Sequence, residues 1–174
     1  MEDITIRFLS AGLNKNEKCI CLLNPNRPKS VHRFVENNLA SPNIKPDQLV
    51  FIDVMDAYLN GTRLDPMQMM GFLTRQLLDV SREGYESTRF VLDMGWAGHD
   101  DWALLDCENL LNKHIVPYFN CTIMCGYNPE KMNPQLFREI AISHPRLMCG
   151  HQVINNQAYD PPKPFWLMPK EDVL

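Results

Sequence analysis

Apolar positions fall along this chain in two rhythms. Short dense runs read as strands, and longer stretches with a three-to-four-residue repeat read as helices. Four runs predict buried strands: Lys18 to Leu23, Leu49 to Val54, Thr88 to Met94 and Cys121 to Cys125. Helical spacing predicts a first helix from Asp3, its N-cap, to Asn14, with Ile6, Leu9 and Leu13 as its stripe. A second runs from Ser30 to Leu39 on Val31, Phe34, Val35 and Leu39, after a proline-containing loop over Asn24 to Lys29. Asp65-Pro66 opens the longest helix, on Met67, Met70, Gly71, Thr74, Leu77, Leu78 and Ser81, and Gly84 ends it. Further helices are predicted from Asp101 to Tyr118 and from Asn133-Pro134 to His144-Pro145. Two final strands are expected at Arg146 to Cys149 and Gln152 to Asn155.

Strands that alternate with helices predict an α/β domain, a mostly parallel sheet flanked by helices in a three-layer sandwich. The expected domain spans residues 1–159. The tail over 160–174 holds Pro161, Pro162, Pro164 and Pro169 and reads as a linker or a segment packed on the body through Phe165 and Trp166.

Composition narrows the function. A length of 174 residues fits one domain, and 45% apolar with 22% charged residues is ordinary for a globular one. A formal net charge of −4, with no basic run, argues against direct nucleic-acid binding. The acidic start Met1-Glu2-Asp3 is unlike an export signal, and no run approaches the roughly 18 apolar residues of a membrane span. The expected location is therefore cytoplasmic, away from any membrane, with the six cysteines as reduced thiols.

The strand TRFVLDM ends in a carboxylate, Asp93, as does the magnesium-binding strand of phosphate-loop ATPases. No G-x-x-x-x-G-K-S/T loop and no G-x-G-x-x-G accompanies it, so nucleotide chemistry and a nucleotide cofactor are not expected. The segment from Met94 to Trp102 lies just past that strand, where ligands bind in open α/β sheets. Trp96 reads as a pocket wall and His99 as a polar handle, whereas Asp100, Asp101 and Trp102 read equally well as a helix cap and a cover for the sheet end. Tyr127 and Asn128, past the next strand, and Tyr58, past LVFIDV, are positioned to line the same crevice.

Cys125, at a strand end, keeps a ligand-reactive role open. A metal site is not expected: Cys121 and Cys125, four apart in a strand, would lie roughly 13 Å from each other. Cys149 and His151 are two apart, with no further ligand marked. Cys19 and Cys21 share one strand face, as small buried hydrophobes do. His144 before Pro145 reads as a helix terminator.

Taken in order, FLSAGLNKNEKCICLL, LVFIDVMDAYLNGTRLDPMQMMGFL, FVLDMGWA, CGYNPEKMNPQLFREIAISHPRLMCG and VINNQAY resemble one family over nearly the whole chain. It is the MEDS domain, the methanogen/methylotroph sensory domain named partly for a dichloromethane-responsive repressor. Met94-x-Trp96-Ala97, Cys125-Gly126-Tyr127 and His144-Pro145 are the most specific pieces. The resemblance implies a RecA/KaiC-like fold that has lost its phosphate-binding loop. It implies a non-catalytic sensor of small hydrocarbon derivatives, coupled to a signalling output such as a kinase or a transcription regulator.

The chain departs from the family at its start, where members carry a strand and loop before the first helix. The expectation is a sheet edge closed by a second copy, as in a homodimer, or by the tail. The expected ligand site is Asp93, Trp96, Tyr127, Cys125, Tyr58 and His99. Two other functions compete. One is a degenerate ATPase-like protein-interaction module without a small ligand. The other, ranked last, is an enzyme using Asp93 with a metal or Cys125.

Overall fold

The computed structural model describes residues 2–23, 37, 44–57, 59–60, 63–96, 102–149 and 152–160. The helix expected over Ser30 to Leu39 lies outside them apart from Asn37, and so does the proline-rich tail from 161 on.

Four parallel strands form the main sheet: β1 (Lys18–Leu23), β2 (Leu49–Asp53), β5 (Thr88–Asp93) and β6 (Cys121–Gly126), in the order β2-β1-β5-β6. β1 is buried at every position, as a strand covered on both faces must be. Side-chain alternation divides the core in two. Ile20, Leu22, Phe90 and Leu92 face one layer, packed by α3 (Pro66–Arg82), α4 (Ala103–His114) and α5 (Pro134–Ile142). Cys19, Cys21, Leu23 and Val91 face the other, where α1 (Glu2–Leu13) sets Leu9 and Leu13 against them. Cys19 and Cys21 are thus buried on one face, as their spacing predicts.

Local chemistry explains most element ends. The Asp65 carboxylate accepts from the Met67 and Gln68 amides at 3.0 Å each, and Pro66 takes the first helical position. Gly84 follows α3 with φ 83°, a conformation that glycine adopts freely. Asn133 caps α5 through the Gln135 amide at 2.8 Å. Asn16, at φ 57°, turns the chain out of α1.

Several expectations need correction. Asp3 is not an N-cap; it lies inside α1 and pairs with Arg7 one turn on. The inward face of α3 is Met69, Met70, Leu73, Leu77 and Val80, while Met67 and Leu78 are exposed. The predicted stripe is rotated because it weighted the small residues Gly71, Thr74 and Ser81 as core. β2 stops at Asp53, whose Oδ1 accepts the Met55 amide at 2.8 Å and turns the chain into the short helix α2 (Val54–Ala57). The polar stretch that follows is a two-strand hairpin, β3 (Leu59–Asn60) with β4 (Arg63–Leu64). α4 ends at His114 rather than Tyr118, with turns beyond it.

β7 (Arg146–Cys149) and β8 (Gln152–Asn155) pair antiparallel as a sheet of their own. Among the described residues, no helix is long and apolar enough to cross a membrane.

Candidate functional site

The carboxyl ends of β5 and β6 lie side by side, with Asp93 opposite Gly126. Asp93 is buried, and its Oδ1 accepts the Gly95 amide at 3.1 Å, which folds the chain sharply at the strand end. A side chain at Gly95 would stand 3.3 Å from that oxygen and 3.9 Å from Asn128, so the two strand exits are in close contact. The Met94 amide donates to the Gly126 carbonyl at 2.9 Å and extends the pairing beyond β5. Trp96 and Tyr127 are half-buried and pack against the core layer of α3, α4 and α5. Asn128 caps a short 3-10 turn over Pro129–Lys131 through the Glu130 amide. Tyr58 and His99 lie outside the described residues. The strand ends therefore bring Asp93, Trp96, Cys125 and Tyr127 to one region. Two shallow grooves, beside α2 and α3 and between α3 and α4, are lined by none of these four.

Beneath Tyr127 lies a cluster that sequence reasoning misses. The inward face of α4 is Leu104, Cys107, Glu108 and Leu111, so a carboxylate occupies a core position. Cys125 and Tyr127, two apart on β6 and its extension, point at it. The Tyr127 hydroxyl donates to Glu108 Oε1. His144, just past α5, places Nε2 at 3.2 Å from Glu108 Oε2, and its ring meets that of Tyr127 edge-on with centroids 6.2 Å apart. One ligand atom each from Glu108, Cys125 and His144 lie within 4.8 Å of one another, so these three could hold a metal ion.

The electrostatics are specific. The Glu108 side chain is 3% exposed, and no Lys or Arg among the described residues pairs with it. Burial first, and the nearby Glu108 second, push the Cys125 thiol well above its ordinary value, and the same two causes raise the Tyr127 phenol. Both groups therefore hold their protons and can act as donors.

His144 is held by its other ring nitrogen. Nδ1 lies 2.7 Å from the Ile140 carbonyl, which can only accept, so Nδ1 carries the proton in the neutral ring and leaves Nε2 a bare lone pair. The terminator role predicted for His144 is therefore filled by Nδ1, and the site uses the opposite edge of the ring. The segment that carries it is gripped by two asparagines. Asn112 Nδ2 on α4 donates to the Ser143 carbonyl at 2.9 Å. Asn156 Nδ2, beyond β8, donates to the carbonyls of Ala141 and His144, at 2.9 Å each.

The spacing argument weighed Cys125 against Cys121 on its own strand. It misses the cluster because the partners of Cys125 come from two other elements. A readable signal does exist, since Glu108 interrupts the apolar stripe of LLDCENLL.

No curated protein matches the chain, and no solved structure matches it. The model of one family, MEDS (MEthanogen/methylotroph, DcmR Sensory domain), matches residues 1–145, which includes Glu108, Cys125, Tyr127 and His144. This chain belongs to the MEDS family of sensory domains.

Proposed function

We propose that the domain senses a small hydrocarbon derivative, methylated or halogenated, at the carboxyl ends of β5 and β6. The observation that supports this is the meeting of an aromatic wall, Trp96 and Tyr127, with the buried carboxylates Glu108 and Asp93 and the half-buried Cys125 at the end of a parallel sheet. Apolar walls with a few fixed polar groups suit a small, weakly polar molecule. Binding shifts the population of conformers presented to a signalling partner, a kinase or a transcription regulator. The buried acid at the end of β5, in a sequence without a phosphate loop, supports a RecA/KaiC-like origin with nucleotide chemistry lost.

The test is fluorescence of the full chain carrying Trp102→Phe and Trp166→Phe, so that Trp96 alone reports. Titration with dichloromethane and with small methylated alcohols and amines should give a saturable change. A flat response to all of them would sink the reading.

A second reading is a protein-interaction module without a small ligand. Its support is the β7–β8 hairpin, which leaves Met148, Val153 and Ile154 exposed. Association of two copies through this hairpin, measured by light scattering and abolished by Val153→Lys, would favour it.

A further inference from the structure

We infer that Glu108, Cys125 and His144 form a binding site for a divalent zinc-type metal ion, with Tyr127 orienting the carboxylate. The three ligands come from α4, β6 and the turn after α5, so the fold itself brings them together.

The donor set selects the metal class. A thiolate, an imidazole and one carboxylate oxygen suit zinc, which accepts sulfur, nitrogen and oxygen together. Magnesium and calcium prefer oxygen alone. The distances also fit. Zinc bonds of ~2.0–2.1 Å to nitrogen and oxygen place tetrahedral ligand atoms roughly 3.3 Å apart. Glu108 Oε2 and His144 Nε2 stand 3.2 Å apart. They make no hydrogen bond to each other at that distance: Nε2 is buried without a hydrogen-bond partner. With Nε2 unprotonated, its lone pair and the carboxylate oxygen repel, so the pair needs a proton or a metal ion between them.

The supporting shell is of the kind metal sites use. The Nδ1 contact with the Ile140 carbonyl fixes the ring edge and the tautomer. The Tyr127 hydroxyl occupies Glu108 Oε1 and leaves Oε2 for the ion. On binding, the zinc–sulfur bond forms and the Cys125 proton passes to solvent. Three protein ligands leave a fourth position for water or a small exogenous donor. The inference stands on the cluster alone and does not require the sensing reading, although it shares Cys125 and Tyr127 with it.

The experiment uses the full chain stripped with a chelator and titrated with Co2+, then with Zn2+ in competition. One equivalent of Co2+ should give a thiolate-to-cobalt charge-transfer band and the intense visible bands of four-coordination. Zn2+ should displace both. Cys125→Ser should abolish the charge-transfer band, while Cys121→Ser and Cys149→Ser should keep it. Tyr127→Phe should retain the band with affinity lowered about 10- to 100-fold. A wild-type titration without a charge-transfer band overturns the inference. So does a band that survives Cys125→Ser and vanishes in Cys149→Ser. If Cys125→Ser does not fold, judged by circular dichroism, Glu108→Gln with weakened or lost binding carries the same decision. The Trp96 titration is read in the same metal-free and metal-loaded samples, so failure of metal binding and failure of ligand sensing are separate results.

Discussion

The two ends of the parallel sheet both bury charge, and they balance it in different ways. At the amino end, Lys18 reaches Glu83 at 2.7 Å and Asp47 at 3.6 Å, with its ammonium 5.3 Å from the centre of the Tyr85 ring. Beside it Arg89 pairs with Glu17, donates to the Phe8 carbonyl at 3.1 Å and lies over the Phe8 ring. Each of these three acids, Glu83, Asp47 and Glu17, faces a cation that stays charged at any physiological pH. At the carboxyl end, Glu108 faces a phenol, a thiol and an imidazole. The first arrangement is complete in itself. The second is complete only when a proton or a metal ion joins it, which is the mark of a binding site rather than a brace.

The largest expected effect belongs to the amino end, where Cys19 and Cys121 lie at the starts of their strands, and sets the pH window for comparing the two ends. Burial pushes the Cys19 thiol up to about 12 and the Cys121 thiol up to about 11. The folded chain keeps these protons while the unfolded chain releases them above about pH 8.5. The sign follows: stability is full below that value and falls as pH rises toward 11 and 12. By pH 10 each of the two thiols should remove on the order of 2 kcal/mol, measured by urea unfolding at pH 7.5 and 10. Equal stability at the two values would contradict the burial of these side chains.

Next in size is the amino-end brace. Arg89→Ala should cost about 3 kcal/mol, because it leaves Glu17 without its cation. Metal and ligand responses of the folded fraction should be unchanged. A loss of stability below about 1 kcal/mol would mean that the brace contributes no more than a surface pair does.

Smaller again is Asn156→Ala. It removes two bonds to the carbonyls around His144 and should cost about 1–2 kcal/mol. It should also weaken Co2+ binding, although Asn156 touches no proposed ligand atom. Unchanged cobalt affinity would show that the hairpin does not help to position His144.

The smallest stability effect sharpens the contrast most. Glu108→Gln in the metal-free protein should change stability by less than about 1 kcal/mol, since it removes a buried charge that lacks a fixed counter-charge. If it costs as much as Arg89→Ala, the two ends do not differ in kind.

The strand plan was legible because dense apolar runs such as KCICLL and TRFVLDM have one stable home, a buried parallel sheet. Helix ends with side-chain caps were legible for the same local reason, as at Asp65 and Asn133. The burial face of α3 was not, because Met67 and Met69 look alike in sequence and only the sheet decides which is covered. Of the site, Cys125 and Tyr127 could be named from their place past a strand. Glu108 and His144 could not be joined to them, since that pairing depends on how α4 and α5 dock.

The two asparagines around the end of α5 have a thermodynamic consequence. Asn112 and Asn156, with the Nδ1 contact to Ile140, leave the His144 ring little rotational freedom. The entropy of orienting that ring is therefore lost when the chain folds, not when something binds. An incoming ion or molecule meets an imidazole already aimed, and its affinity reports the quality of the bonds it makes.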